Sequence, residues 1–227
     1  MRQPRLKAPP HVDGAFYHCL SRVVDKQFLF GPNEKDRFLA LLHECARFSR
    51  VRVLSFAILD NHFHILVQVP QRPDPSQLPG PDEIVADLHR LSGHQDPEGV
   101  RQRFEMFREH KDDAGYAAYL ASFHARMYDV SAFMKLLKQR VTQSFNRRHG
   151  RTGTLWEDRF KSVLVEGAGM ALATMAAYID LNPVRAGIVK DPKDYRWSGY
   201  GEAMANRKRA KLGLQFVVTA LQHGREE

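Results

Sequence analysis

The clearest structural pattern in the sequence is the alternation in residues 62–69, His-Phe-His-Ile-Leu-Val-Gln-Val. Every second residue from Phe63 to Val69 is apolar and falls on one side of an extended chain, which predicts a strand with a hydrophobic face. Val51–Leu59, just before it, is rich in β-forming residues and predicts a second strand. Asp60-Asn61 between them predicts a two-residue hairpin turn, although the usual glycine is missing.

The segments on either side extend this pattern into an α+β chain. Asn182-Pro183 is expected to end the last predicted helix, because a residue before proline is disfavoured in the α region. The order of elements predicts an α+β fold, a ferredoxin-like antiparallel sheet with helices on one face, plus an added C-terminal helix that carries Tyr178. The elements flanking the hairpin are a strand at Ala15–Arg22, a helix at Pro32–Ser49, a helix at Ser131–His149, a strand at Leu155–Glu166 and a helix at Gly169–Leu181.

The region after the hairpin has a different composition. Five prolines fall between Pro70 and Pro81, and residues 71–130 carry 11 acidic and 7 basic side chains, net −4, which leaves +12 for the rest of the chain. We interpret residues 71–130 as an acidic, partly helical insertion. It divides a single domain formed by residues 1–70 and 131–205, and residues 206–227 are expected to form a C-terminal tail or helix.

The overall composition favours a cytoplasmic, nucleoid-associated protein. The chain carries 34 Lys and Arg against 26 Asp and Glu, and such an excess of cations favours binding to phosphates. Cys19 and Cys45 lack a CxxC spacing and are expected to be buried thiols in a reducing compartment. No apolar run is long enough for a bilayer, and residues 1–10 do not resemble a secretory signal, so we expect no membrane association.

His62 and His64 are the first candidates for chemistry. Positions i and i+2 of a strand point to the same side, so both imidazoles project together, away from the hydrophobic face. This geometry suits two ligands of one divalent metal ion. Two histidines on the surface of a half-exposed strand are the alternative interpretation.

Tyr178 and Asn182 form a second candidate pair. Residues i and i+4 share one face of a helix, so the phenol and the amide lie one above the other. A phenol beside a metal-bound phosphate is a competent nucleophile, and an amide oxygen is a suitable third metal ligand. Alternatively, Tyr178 is a packing aromatic residue and Asn182 only ends the helix.

A basic stretch between residues 135 and 161 predicts a surface for nucleic acid. Its net charge is +6 over 27 residues, with aromatic side chains among the charges, as a track for single-stranded nucleic acid requires. A solvated helix face is the alternative. The candidate binding residues are Lys135, Lys138, Arg140, Arg147, Arg148, Arg151, Trp156, Arg159 and Lys161.

Four motifs, in order along the chain, resemble those of the REP-associated tyrosine transposases, relatives of the single-tyrosine insertion-sequence transposases. They are Asn61-His-Phe-His-Ile-Leu-Val67, Phe145-Asn-Arg-Arg-His-Gly-Arg151, Gly153-Thr-Leu-Trp-Glu-Asp-Arg-Phe-Lys-Ser162 and Tyr178-Ile-Asp-Leu-Asn-Pro-Val-Arg-Ala-Gly-Ile188. The resemblance covers most of residues 10–70 and 131–200. Asp60 departs from it, because family members often carry proline there, and the acidic insertion also lies outside it.

The resemblance implies a single-tyrosine HUH nuclease with a ferredoxin-like fold that acts on single-stranded or hairpin DNA. His62 and His64 match the histidine pair that holds Mg²⁺ or Mn²⁺ in that family, and Asn182 matches the polar ligand. Tyr178 matches the nucleophile, so cutting and rejoining would proceed through a 5′-phosphotyrosine. Monomer and homodimer are both left open.

Two other functions are compatible with the sequence. One is a domesticated relative that binds hairpin DNA or RNA without cutting it. The other is an unrelated metal phosphoesterase that uses His62 and His64 with carboxylates such as Asp60. That enzyme would release a hydrolysed product and would not need Tyr178.

Overall fold

The computed structural model describes residues 14–91, 96–167 and 169–223. At its centre is a four-stranded antiparallel sheet in the order β2-β3-β1-β4. The strands are β1 Ala15–Arg22, β2 Arg52–Ile58, β3 His62–Val69 and β4 Lys161–Val165. The predicted α+β class with an antiparallel sheet is confirmed, and β1 and β3 have the predicted bounds.

Helices connect the strands and cover both faces of the sheet. Within the described residues, no helix combines the length and the hydrophobicity that spanning a bilayer requires. The helices are α1 Pro32–Phe48, α2 Pro81–Arg90, α3 Pro97–Glu109, α4 Asp113–His124, α5 Val130–His149, α6 Gly169–Asp180, α7 Asn182–Arg185, α8 Gly199–Met204 and α9 Lys208–His223.

The alternation of β3 supplies a hydrophobic layer to each face of the sheet. Phe63, Ile65 and Val67 pack with α1 and α5 in one cluster, which is the helical layer that the ferredoxin-like pattern predicts. Leu66 points the other way and belongs to a second cluster, which includes residues of α6 and Val217 of α9. The added helix therefore lies on the opposite face, where a helix in the predicted C-terminal segment joins it.

One contact within the hairpin and one from outside it fix the turn between β2 and β3. The Leu59 amide donates to the carbonyl oxygen of His62 at 2.9 Å, which closes the predicted two-residue connection Asp60-Asn61. The Asp60 carboxylate forms an ion pair with Lys35 of α1. These contacts compensate for the missing glycine and hold His62 at the first position of β3.

The acidic insertion is helical, as predicted, and packs on the α1 and α5 side of the sheet. Ile84 of α2 and Phe104 of α3 belong to the same hydrophobic cluster as α1 and α5. Arg50, just after α1, donates to the carboxylates of Glu83 and Asp87, each at 2.6 Å. The insertion therefore enlarges the core on this face and leaves the face that carries His62 and His64 uncovered by it.

The strand predicted at Leu155–Glu166 is shorter in the structure. β4 begins only at Lys161, because Leu155, Trp156 and Phe160 are buried in the cluster formed with α1 and α5. Trp156 forms only an isolated bridge with the residue that follows β1. The chain therefore passes through the core before it joins the edge of the sheet.

Asn182-Pro183 separates two helices. α6 ends at Asp180, one residue before the predicted end, and Pro183 lies in the first turn of α7, where a missing N–H costs no helical hydrogen bond. The predicted helix boundary is therefore confirmed, although Asn182 itself begins the next helix.

Both cysteines are buried free thiols, as predicted. Cys19 and Cys45 each expose 0% of their surface. Burial raises the pKa of the Cys45 thiol to about 12, so its reactive thiolate form is strongly disfavoured. Neither cysteine is accessible to a substrate.

Candidate active site

His62 and His64 lie on the face of the sheet that α6 covers. They occupy alternate positions of β3, and Leu66 continues the same row into the cluster with α6 and α9. Their ring centroids lie 5.2 Å apart. His64 is buried, with 4% of its surface exposed, and His62 is half-buried. They are therefore not a pair of freely exposed surface histidines.

Tyr178 of α6 reaches this pair. Its ring centroid lies 5.8 Å from that of His64, and the two rings are nearly perpendicular, at 84°. The guanidinium of Arg185 lies 5.1 Å from the centroid of the Tyr178 ring, within the range of a cation–π contact. Because Tyr178 is 39% exposed, its ring contacts the histidines and is open to solvent at the same time.

Asn182 lies one helical turn beyond Tyr178, at the junction of α6 and α7. Its side-chain nitrogen donates to the carbonyl oxygen of Tyr178 at 2.8 Å. This contact is the helix-ending role that the alternative interpretation expects. It uses only the nitrogen of the amide, and the oxygen is the atom that a metal ion would bind, so the two roles are compatible.

His18 of β1 is a member of this cluster that the sequence analysis missed. Its Nε2 lies 2.8 Å from Nδ1 of His64, and the two rings are stacked with centroids 5.1 Å apart. The His18 ring also lies 6.1 Å from that of Tyr178. The alternation of β1 places His18 on the same face as Phe16, but only the pairing of β1 with β3 brings it to His64.

Hydrogen bonds orient the two histidines of β3. Nδ1 of His62 lies 2.7 Å from the side-chain oxygen of Asn61, which can only accept, so this nitrogen carries the hydrogen. Nδ1 of His64 shares a hydrogen with His18. Both histidines therefore use Nδ1 for hydrogen bonding, and Nε2 is the nitrogen of each ring that can bind a metal ion.

Burial keeps the imidazoles uncharged. It lowers the pKa of His18 and of His62, with a further contribution from Arg22 at His62. The pKa of His64 falls to about 3, mainly through burial and then through His18, His62 and Arg22. Neutral imidazole is the form that binds metal ions.

Neutral imidazole and amide oxygen are donors that suit a divalent cation, and His62, His64 and Asn182 carry them. Among the residues that the structure describes, no group of three or more His, Cys, Asp or Glu side chains is arranged to hold a metal ion. Asp60, the carboxylate that an unrelated metal phosphoesterase would use, is paired with Lys35. The imidazoles of His62 and His64 are therefore the donors that the ring contacts bring together here.

Two of the nine residues predicted to bind nucleic acid are buried. Arg140 is 6% exposed, and its guanidinium donates to the carbonyl oxygen of Leu91 at 2.9 Å. Trp156 is 7% exposed, packs against the rings of Phe30 and Phe63, and donates from its indole nitrogen to a backbone carbonyl of α5. Neither side chain can reach a nucleic acid, so both predictions are wrong.

The other basic residues lie in two places. The basic residues of α5 lie on a helix that packs on the opposite face of the sheet from His64. One of them, Arg148, forms an ion pair with Glu34. Lys161 of β4 lies on the same face as His64, because both pair directly with Leu20 of β1. Two strand spacings, about 10 Å, separate the backbones of Lys161 and His64. Strand pairing thus shows Lys161, of the predicted set, on the face that carries the histidines. Lys138 is half-buried, and the exposed residues of the set are Lys135, Arg147, Arg148, Arg151, Arg159 and Lys161.

The fold is similar to that of a REP-associated tyrosine transposase bound to a REP hairpin. The TM-score is 0.55 at 14% sequence identity, and the match covers 90% of this chain and 86% of the other. No protein-family model matches the sequence, and no curated protein matches it. At this identity the likeness shows a shared fold, and the chemistry has to be argued from the residues of this chain.

Arg140→Ala is expected to destabilise the fold by roughly 1.5–3 kcal/mol, because it removes a charged hydrogen bond to a buried carbonyl group. Lys135→Ala on the exposed side of the same helix should change stability by less than about 0.5 kcal/mol. Urea unfolding of both variants tests the assignment. Unchanged stability together with reduced DNA affinity in Arg140→Ala would show that Arg140 contacts DNA after all.

Proposed function

We propose that this protein cuts and rejoins single-stranded DNA at hairpins, with Tyr178 as the nucleophile and Mg²⁺ or Mn²⁺ as the cofactor. The observation that carries the proposal is the contact between the Tyr178 ring and the His64 ring at 5.8 Å. A half-exposed phenol, a buried imidazole cluster and a guanidinium meet there on an otherwise apolar face. That combination serves a reaction better than it serves packing.

The metal site would use the atoms that the hydrogen bonds leave available. A divalent cation would be held by Nε2 of His62, Nε2 of His64 and the side-chain oxygen of Asn182, and it would neutralise charge on the scissile phosphate. Mg²⁺ prefers oxygen ligands, so two imidazoles favour Mn²⁺ at least equally.

Tyr178 would perform the chemical step. Its hydroxyl oxygen bonds to phosphorus, the bond from phosphorus to the 3′-oxygen breaks, and the phenolic proton passes to solvent. The 3′-oxygen takes up a proton and leaves as a hydroxyl group, while the 5′-phosphate stays on Tyr178. A second 3′-hydroxyl can reverse these bond changes, so strands are rejoined without ATP.

His18 would act as a positioning residue for His64. Its hydrogen bond fixes the rotation of the His64 ring, and with Nδ1 of His64 as the donor the Nε2 atom is left unprotonated for a metal ion. Such outer partners of metal-binding histidines typically change metal affinity by about 10- to 100-fold when they are removed.

The net charge of +8 supports DNA as the partner. The similar solved protein is bound to a REP hairpin, which supports a hairpin as the form of the substrate. Hairpin binding without cutting is a second candidate function, because a cationic surface and this fold are sufficient for it. The formation of a covalent product separates the two.

Tyr178→Phe is expected to abolish a covalent protein–DNA adduct that the wild-type protein forms with single-stranded hairpins in Mn²⁺. The substrate is a pool of hairpins with randomised flanking sequence, labelled at either end and analysed on a denaturing protein gel. A 3′ label should stay with the protein and a 5′ label should be released, because Tyr178 retains the 5′-phosphate. His64→Ala should also abolish the adduct.

Tyr116→Phe in the insertion is the matched control, because it removes a phenolic hydroxyl far from the histidines. It should form the adduct at the wild-type level. Hairpin binding by the wild-type protein without any adduct would favour the non-cutting function. An adduct with Tyr178→Phe would assign the nucleophile elsewhere.

His18→Ala is expected to weaken Mn²⁺ binding by about 10- to 100-fold, because the His64 ring loses the partner that orients it. Calorimetric titration with Mn²⁺ in the absence of DNA measures this without any turnover. His110→Ala, in the insertion, should bind Mn²⁺ like the wild-type protein. An Mn²⁺ affinity of His18→Ala equal to that of the wild-type protein would show that His18 does not position His64.

A further inference from the structure

The loop between β1 and α1 is attached to the turn that carries His62. The Val23 amide donates to the carbonyl oxygen of Asn61, and the Phe30 amide donates to that of Asp60, both at 2.8 Å. Between these two points, the side-chain nitrogen of Asn61 donates to the carbonyl oxygen of Lys26 at 3.0 Å. The same Asn61 side chain holds Nδ1 of His62, so the loop and the histidine share one anchor.

Phe28 stands at the exposed part of this loop. It is 79% exposed, more than any other large hydrophobic side chain in the part of the chain that the structure describes. A ring of this size is stabilised by burial, as at Phe30, which lies two residues later and is fully packed. At no more than about 3.6 Å per residue, the backbone of Phe28 lies within roughly 7 Å of Phe30, which is bonded to the turn. The exposed ring therefore stands on the loop that is hydrogen-bonded to the Asp60-Asn61 turn, directly before His62.

Arg22, at the end of β1, provides a cation at the same place. It pairs directly with His62 across the two strands, so both side chains lie on the same face of the sheet. Arg22 is exposed and forms no ion pair with any residue that the structure describes. Lys161 lies on the same face, one strand further along. Arg22 and Lys161 therefore place two cations on the face that carries the histidines.

We propose that Arg22 and Phe28 form a subsite for single-stranded DNA beside the histidines, in which the guanidinium binds a backbone phosphate and the ring stacks on a nucleobase. The subsite rests on the proposed function, since it holds the strand that enters the site at Tyr178. A planar apolar ring and an exposed cation, on a loop and a strand end that are both hydrogen-bonded to the turn before His62, match a nucleotide, which offers a π-face and a negative charge together. Stacking accepts every base, so the subsite adds affinity for a single strand with little sequence preference.

Fluorescence anisotropy with a labelled ten-nucleotide single strand of thymidines measures binding by the 227-residue protein. Phe28→Ala should weaken binding by about 5- to 150-fold, the effect of removing one stacked base. Phe28→Trp should bind at least as tightly as the wild-type protein. Phe28→Leu is the matched control for apolarity and should lose affinity like Phe28→Ala, because it has no ring.

Arg22→Gln should lower affinity and also reduce the dependence of log K on log salt concentration by about 0.7, the contribution of one phosphate on a single strand. Phe28→Ala should leave that dependence unchanged. Arg108→Gln in the insertion and Leu212→Ala on α9 are the controls for an exposed cation and an exposed apolar side chain, and both should bind like the wild-type protein.

Wild-type DNA affinity in Phe28→Leu or Phe28→Ala would overturn the stacking. That result is also the one expected if Phe28 contacts a protein and not DNA. An unchanged salt dependence in Arg22→Gln would overturn the phosphate contact. Failure of the proposed function looks different. The wild-type protein would then form no covalent adduct, while the Phe28 and Arg22 variants would still show their losses in DNA affinity.

Discussion

The antiparallel pairing of β1 with β3 positions the candidate site. This register sets His18 diagonally next to His64, so that their rings share a hydrogen bond at 2.8 Å, and sets Arg22 directly opposite His62. A shift of one residue would turn the side chains of one strand to the other face and would separate these groups. Because both faces of the sheet are packed, such a shift would also move apolar residues out of two cores.

The same constraint explains how an imidazole cluster is tolerated on a buried face. Leu66 and Val165 surround this region with apolar contacts to α6 and α9, so an unpaired polar group here would cost free energy. His18 and His64 satisfy each other, and Asn61 satisfies His62. Burial also keeps the rings neutral. The cluster is therefore compatible with a stable fold while one nitrogen of each β3 histidine stays available.

Much of this arrangement could be predicted from the sequence, because it depends on local periodicity. The alternation of β3 predicts that His62 and His64 share a face, and the i to i+4 spacing predicts that Tyr178 and Asn182 are neighbours. His18 could not be identified in this way, since its partner lies 46 residues away and depends on the order of the strands. The hairpin turn was predictable, whereas the Lys35 ion pair that fixes it was not.

The errors have the same origin. Arg140 looks like part of a cationic helix face, but it turns toward a carbonyl group of the insertion, whose position no local pattern reveals. Trp156 lies among basic residues in sequence and among aromatic rings in space. A helix shows its polar side in the sequence only when nothing else packs there, and here the insertion covers part of it.

The most direct test is whether His62 and His64 of β3 and Asn182 of α7 bind the same cation. Anomalous diffraction at the manganese edge measures this in crystals of the wild-type protein grown with Mn²⁺. We predict one anomalous peak bonded to Nε2 of His62, Nε2 of His64 and the side-chain oxygen of Asn182, with the Tyr178 hydroxyl on the same side. A manganese ion bound elsewhere, with these three residues free of metal, would contradict it.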